Sequence, residues 1–163
     1  MTIADAAPDG AGREAGEFRR AVREWMRLHQ LRERDRVSAY GVTVSGAHAL
    51  EVLAERGPLS LSALSAELFV DRSTACRTVG LLEDRGYLAR LADSRDGRAI
   101  RLELTGAGRA LEARLRQDAR WETEALLSAL SAADRGAALR LLRELTRISA
   151  AHAGMGEAGG ERA

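Results

Sequence analysis

The chain has 163 residues, 45% hydrophobic and 30% charged, an ordinary soluble mixture long enough for one domain with a core of its own. Its 25 basic and 24 acidic residues leave a net charge of +1, so any argument for a nucleic-acid partner must rest on where the charges lie. The single cysteine excludes an intramolecular disulfide framework. With neither a signal peptide nor an apolar run long enough to span a bilayer, a cytoplasmic protein with no membrane partner is expected. Aromatic residues make up only 4%, so the core must be built mainly from Leu, Ala and Val.

Residues 1–16, rich in Ala, Gly and Asp, read as a disordered N-terminal tail. From Glu17 to about Arg36, Phe18, Val22, Trp25, Met26, Leu28 and His29 recur near helical spacing, with arginines on the other side. A connection over 37–44 holds Tyr40 and Gly41. Thr43 or Ser45 then starts a helix carrying Ala49, Leu50, Val52 and Leu53, which Gly57-Pro58 ends. Ser60 caps a short helix over 61–68, where Leu61, Leu64 and Leu68 share a face. The connection Phe69-Val70-Asp71 is as short as a helix-turn-helix requires.

Asp71 is the N-cap of the next helix, because its carboxylate can accept from the free N–H groups of the first turn. Arg72, Ser73, Thr74, Arg77 and Thr78 follow, the forks and hydroxyls that phosphates and base edges take. Val79, Leu81 and Leu82 supply the buried side, and Gly86 the C′ stop. Two strands, 87–92 and 98–104, flank the turn cluster 93–97. Thr105 caps a long helix with Leu111, Leu115, Ala119, Trp121, Leu126 and Leu130. Ser131 to Asp134 starts a last helix with Leu139, Leu142, Leu145, Ile148 and His152, and 154–163 is a flexible tail. The expected fold is mainly α with a small two- or three-stranded β-wing: a winged helix-turn-helix, its DNA-binding lobe at about 43–104.

Ser73-Thr74 with Arg77, Leu82-Glu83, Gly86-Tyr87-Leu88, and Asp96-Gly97-Arg98 followed by Leu104-Thr105 and Gly108 form one combination. By it the chain resembles the MarR family of winged helix-turn-helix regulators. Gly97 departs from it, standing where a second basic residue is common, and so does Cys76, where a threonine is common. The resemblance implies a homodimer on a palindromic operator in double-stranded DNA, acting as a repressor and joined through helices at about 17–36 and 106–152. It implies that Arg98 reaches the minor groove, oriented by Asp96, with Arg95 beside it; narrow A·T-rich grooves attract arginine. It also implies a small aromatic or phenolic effector, for which Trp25, His29, Tyr40 and His48 are the candidate lining residues.

Two other readings compete. Cys76 near a helix N-terminus is a candidate redox sensor, although its place a full turn inside reads first as packing. A winged-helix module that binds protein predicts an apolar or acidic recognition face, against which Arg72, Ser73, Thr74 and Arg77 argue. The sequence shows no nucleophile–base set and no phosphate-cradling glycine loop, and its three histidines have no metal-ligand spacing. No enzyme activity, metal or cofactor is expected.

Overall fold

The computed structural model describes residues 10–92 and 100–157. Its elements are α1 (Gly10–Ser38), α2 (Val44–Arg56), α3 (Leu61–Glu67), α4 (Arg72–Asp84), β1 (Leu88–Ala92), β2 (Ile100–Leu104), α5 (Gly106–Ser128) and α6 (Ala132–Glu157). The fold is mainly α with one two-stranded antiparallel sheet, a winged helix. Leu88 pairs with Leu104 and Ala92 with Ile100. A third segment touches the sheet through the isolated Leu59–Leu102 bridge. The chain divides into two compact units between Asp118 and Ala119.

In the first unit α2, α3, α4 and α5 each start on a side chain that accepts from the orphan N–H groups of the first turn. Thr43, rather than Ser45, accepts from Gly46 N at 3.0 Å, Ser60 from Ala63 N at 3.1 Å, and Asp71 from Thr74 N at 2.9 Å. Thr105 accepts from Gly108 N at 3.0 Å and donates to the Gly86 carbonyl at 2.7 Å, tying the start of α5 to the end of α4. Gly108 follows from that tie: a Cβ there would lie 2.1 Å from the Tyr87 carbonyl oxygen.

One apolar cluster holds this unit together. Leu50, Leu64, Val79 and Leu102 are fully buried, with Leu53, Leu82, Leu88, Leu104, Leu111 and Leu115 around them. Burying each such leucine stabilises the fold by about 1.5–3 kcal/mol. The cluster reaches past the lobe expected at 43–104, taking in Val37 from the last turn of α1 and Leu111 and Leu115 from α5. Leu81, expected among the buried side chains of α4, is instead 54% exposed. The buried stripe is Ala75, Thr78, Val79 and Leu82, and one residue along a helix is a turn of about 100°, enough to carry Leu81 out of it.

Helix α1 begins at Gly10, so residues 10–16 are helical rather than a disordered tail. Adding a residue to a helix already formed requires fixing only that residue, so Arg13, Glu14 and Ala15 extend it despite Gly10, Gly12 and Gly16. The same holds at the other end, where α6 carries 154–157, expected as flexible tail. In the second unit Ser131 caps α6, accepting from Asp134 N at 3.1 Å and donating to its carboxylate at 2.6 Å. None of the described side chains of α6 is buried, and Leu139, Leu141, Leu142 and Ile148 are exposed.

Candidate nucleic-acid interface

Helix α4 divides its residues by face. Ala75, Thr78, Val79 and Leu82 point into the core, while Arg72, Ser73, Cys76 and Arg77 are exposed. Polar groups on the first turns of a helix whose far side is anchored match the geometry of a helix that enters a major groove. Helix α3, packed against it across the short turn, corresponds to the helix that crosses the backbone.

The start of α4 is pinned by Asp71. Its carboxylate accepts from Ser73 Oγ at 2.5 Å, Thr74 Oγ1 at 2.7 Å and Thr74 N at 2.9 Å. Those donors, the Ser73 hydroxyl first, hold the Asp71 carboxyl well below the usual carboxylate range. Ser73 and Thr74, expected as phosphate donors, therefore spend their hydroxyl hydrogens on Asp71, although each oxygen keeps accepting capacity. Arg77 Nη2 donates to Thr74 Oγ1 at 3.2 Å, and Arg72 Nη1 to Ser62 Oγ at 3.2 Å. These exposed hydrogen bonds cost only about 0.5–1.5 kcal/mol to exchange, so both guanidinium groups are free to turn to a phosphate or a guanine edge.

Thr78 stands apart from the other four. It is 8% exposed, and its hydroxyl donates to the Thr74 carbonyl at 3.0 Å. A side chain that faces the core and bonds its own helix has no reach to a partner. Arg95, Asp96 and Arg98 lie outside the described residues. What is described of the wing is its base, where Arg90 Nε donates to both Glu83 oxygens at 2.9 and 3.1 Å and locks β1 onto α4. The Glu83 carboxylate raises the Arg90 pKa above its ordinary value.

Cys76, expected as a packing residue, is exposed on the same face as Ser73 and Arg77. The core-facing place one position earlier belongs to Ala75.

The four effector candidates fall into three places. Trp25 and His29 stack with ring centroids 5.2 Å apart and an angle of 6° between planes. His48 Nε2 meets Glu33 Oε1 at 2.8 Å, and Glu33 also pairs with Arg36 at 3.8 Å. Tyr40 donates to Asp118 Oδ2 at 2.6 Å, and that bond raises the phenol's pKa. Arg36 donates to the Leu115 carbonyl at 3.0 Å, so His48, Arg36 and Tyr40 serve bonds that join α1 and its following turn to α2 and α5. Sequence reasoning missed an open groove of about 810 Å³ lined by Arg27, Leu28, Gln30, Leu31, Arg34 and Val44; none of the four candidates borders it. Arg27, Leu31 and Arg34, at the i, i+4, i+7 spacing of one helix face, were its signal in the sequence.

Among the described residues no group of three or more His, Cys, Asp and Glu side chains could hold a metal ion. No described helix is long and apolar enough to cross a membrane.

A family model described as MarR family matches residues 40–99. A Thauera aromatica protein, named as a transcriptional regulatory protein for the hcr operon, is 35% identical over 107 residues, which is 66% of this chain. The match spans 64% of that relative's length. The structure of a MarR family protein from Bacillus stearothermophilus matches with a TM-score of 0.77 at 23% identity, covering 85% of this chain and 96% of that one. Another, described as the mechanism for regulation of DNA binding of Bordetella bronchiseptica BpsR by 6-hydroxynicotinic acid, matches with a TM-score of 0.67 at 25% identity, covering 78% and 91%.

Proposed function

Because this chain belongs to the MarR family of transcriptional regulators, we propose that it is a cytoplasmic repressor that binds a palindromic operator in double-stranded DNA as a homodimer. The observation that carries the reading is the division of α4, whose core side is filled by Ala75, Thr78, Val79 and Leu82 while Arg72, Ser73 and Arg77 are exposed at its first turns. In this reading Arg77 takes a base edge and Arg72 a phosphate, while Ser73 and Thr74 turn their hydroxyl hydrogens from Asp71 to phosphates on binding. Arg95, Asp96 and Arg98 are proposed at the minor groove, where the wing would reach.

The homodimer is supported by apolar side chains that the protomer leaves uncovered: Phe18, Trp25 and Met26 on α1, and Leu139, Leu141, Leu142 and Ile148 on α6. A second copy of the chain is the simplest cover for them. Two copies of α4 would then enter successive major grooves on one face, about 34 Å apart. For the effector we infer the groove along α1, whose paired arginines and aliphatic floor suit a small aromatic or phenolic molecule bearing a negative charge. An effector that prefers a dimer with another spacing of its α4 helices would release DNA by population shift.

Selection from a randomised duplex library tests the core of this reading. The expected result is an enriched inverted repeat with half-site centres about one helical turn apart. No enrichment over the starting library would contradict it.

A further inference from the structure

The turn between α3 and α4 carries a residue that the protomer does not explain. Helix α3 ends with Val70 N donating to the Ser65 carbonyl at 3.1 Å and Phe69 N to the Ala66 carbonyl at 3.2 Å. Helix α4 ends with the same pair of bonds, Tyr87 N to Leu82 at 2.9 Å and Gly86 N to Glu83 at 2.8 Å. This motif needs a left-handed residue at its centre, a place that favours glycine because a Cβ crowds the neighbouring carbonyl. Gly86 fills it with φ 73°, and Phe69 fills it with φ 53°. Phe69 is the one non-glycine residue with positive φ among the described residues. Its ring recovers nothing inside the chain, being 95% exposed.

We propose that the Phe69 ring is an apolar contact to DNA at the wall of the major groove, against thymine C5-methyl groups and deoxyribose faces. The inference rests on the DNA-binding reading above and adds to it a residue outside the polar set. Strained backbone kept with no gain within the fold points to a partner outside it. The position selects which partner: Phe69 lies between the helix that crosses the backbone and the cap of the helix that enters the groove. Of the charged groups around it, Glu67 pairs with Arg56 and Asp71 is taken up by the α4 cap, which leaves facing a partner Arg72, three residues on and bonded to Ser62, and Arg77, a turn and a half further along α4. A lone ring among arginines fits a polyanion with small apolar patches, and phenylalanine is one of the side chains that meets the thymine methyl.

The test uses the full-length protein and the duplex it selects. Wild type, Phe69→Gly and Phe69→Ala are titrated by fluorescence anisotropy on that operator, on a scrambled duplex, and on the operator with deoxyuridine replacing thymine in both half-sites. Glycine suits the backbone, so Phe69→Gly should melt no lower than wild type, which separates lost contact from lost fold. The expected loss of operator affinity is on the order of tenfold in both variants. If the ring meets methyl groups, deoxyuridine weakens wild type and leaves Phe69→Gly unchanged; if it meets sugars, Phe69→Gly weakens operator and scrambled duplex alike. Either pattern supports the proposal. Wild-type affinity of both folded variants on all three duplexes overturns it while leaving the DNA-binding reading intact, provided wild type still prefers the operator. Wild type that binds no duplex removes both. If light scattering shows that Phe69→Gly splits a wild-type dimer, the ring belongs between copies of the chain and the proposal fails.

Discussion

The lobe built from α2, α3, α4 and the sheet, and the helix α6, solve the same problem differently. In the lobe every helix buries a stripe: Leu50 and Leu53 on α2, Leu64 on α3, Val79 and Leu82 on α4. Helix α6 has four leucines, Leu139, Leu141, Leu142 and Leu145, and buries none of them. Both obey the same local rules, with Asp71 and Ser131 capping their helices through the same side-chain-to-N3 bond. Capping is therefore decided locally, whereas burial is decided by what else is present. The lobe is completed by its own chain, and α6 asks for another.

The largest effect expected on this contrast is inside the lobe. Leu50→Ala should lower unfolding free energy by about 2–5 kcal/mol, measured by urea denaturation, because the fully buried site cannot collapse freely. On α6, Leu139→Glu combined with Leu142→Glu should turn a dimer into a monomer. Unpaired charges trapped in a contact raise its dissociation constant roughly a hundredfold or more, readable by light scattering at micromolar concentration. A double variant that remains a dimer would erase the contrast between the two regions.

Two smaller effects sharpen it from the lobe's side. Gly108→Ala should cost about 1–3 kcal/mol in thermal or urea unfolding, since the new methyl meets the Tyr87 carbonyl and the start of α5 must shift. Asp71→Ala should lower the Tm by a few degrees at neutral pH, and Asp71→Asn by less, because asparagine also caps. The Asp71 carboxyl titrates below its unfolded value, so its contribution is present above about pH 3.9 and is lost as the pH falls further. Melting curves of wild type and Asp71→Ala should therefore converge on acidification.

The legible parts of the fold are those decided locally. The caps at Ser60, Asp71 and Thr105 and the stop at Gly86 each read from a few adjacent residues, whereas of the apolar residues in the second strand Leu102 and Leu104 are buried and Ile100 is exposed. What stayed hidden depends on packing partners. Leu81 and Leu82 are equivalent as letters, and only the approach of α2, which sets Leu82 against the backbone at Gly46, picks the second. Thr78 and Cys76 exchange their expected places for the same reason: the helix turns by its core, and the core takes Thr78. Among the candidate contacts, the exposure of Arg72, Ser73 and Arg77 followed from the N-cap assignment. The cross-helix partners of His48 and Tyr40 lie 15 and 78 residues away, and no local pattern reports them.

The central claim is that the first turns of α4 read DNA, and Arg77 tests it most directly. Fluorescence anisotropy of wild type and Arg77→Ala on the selected operator and on a scrambled duplex, across a salt series, measures it, with circular dichroism and light scattering as folding and dimer controls. The exposed side chain leaves the fold alone, so the variant should stay a folded dimer. Loss of a base-edge contact should weaken operator binding by about 1–3 kcal/mol and scrambled binding much less, closing part of the gap between the two. If Arg77→Ala binds the operator as tightly as wild type, α4 is not the reading helix, and the proposed contacts of Arg72, Ser73 and Thr74 fall with it.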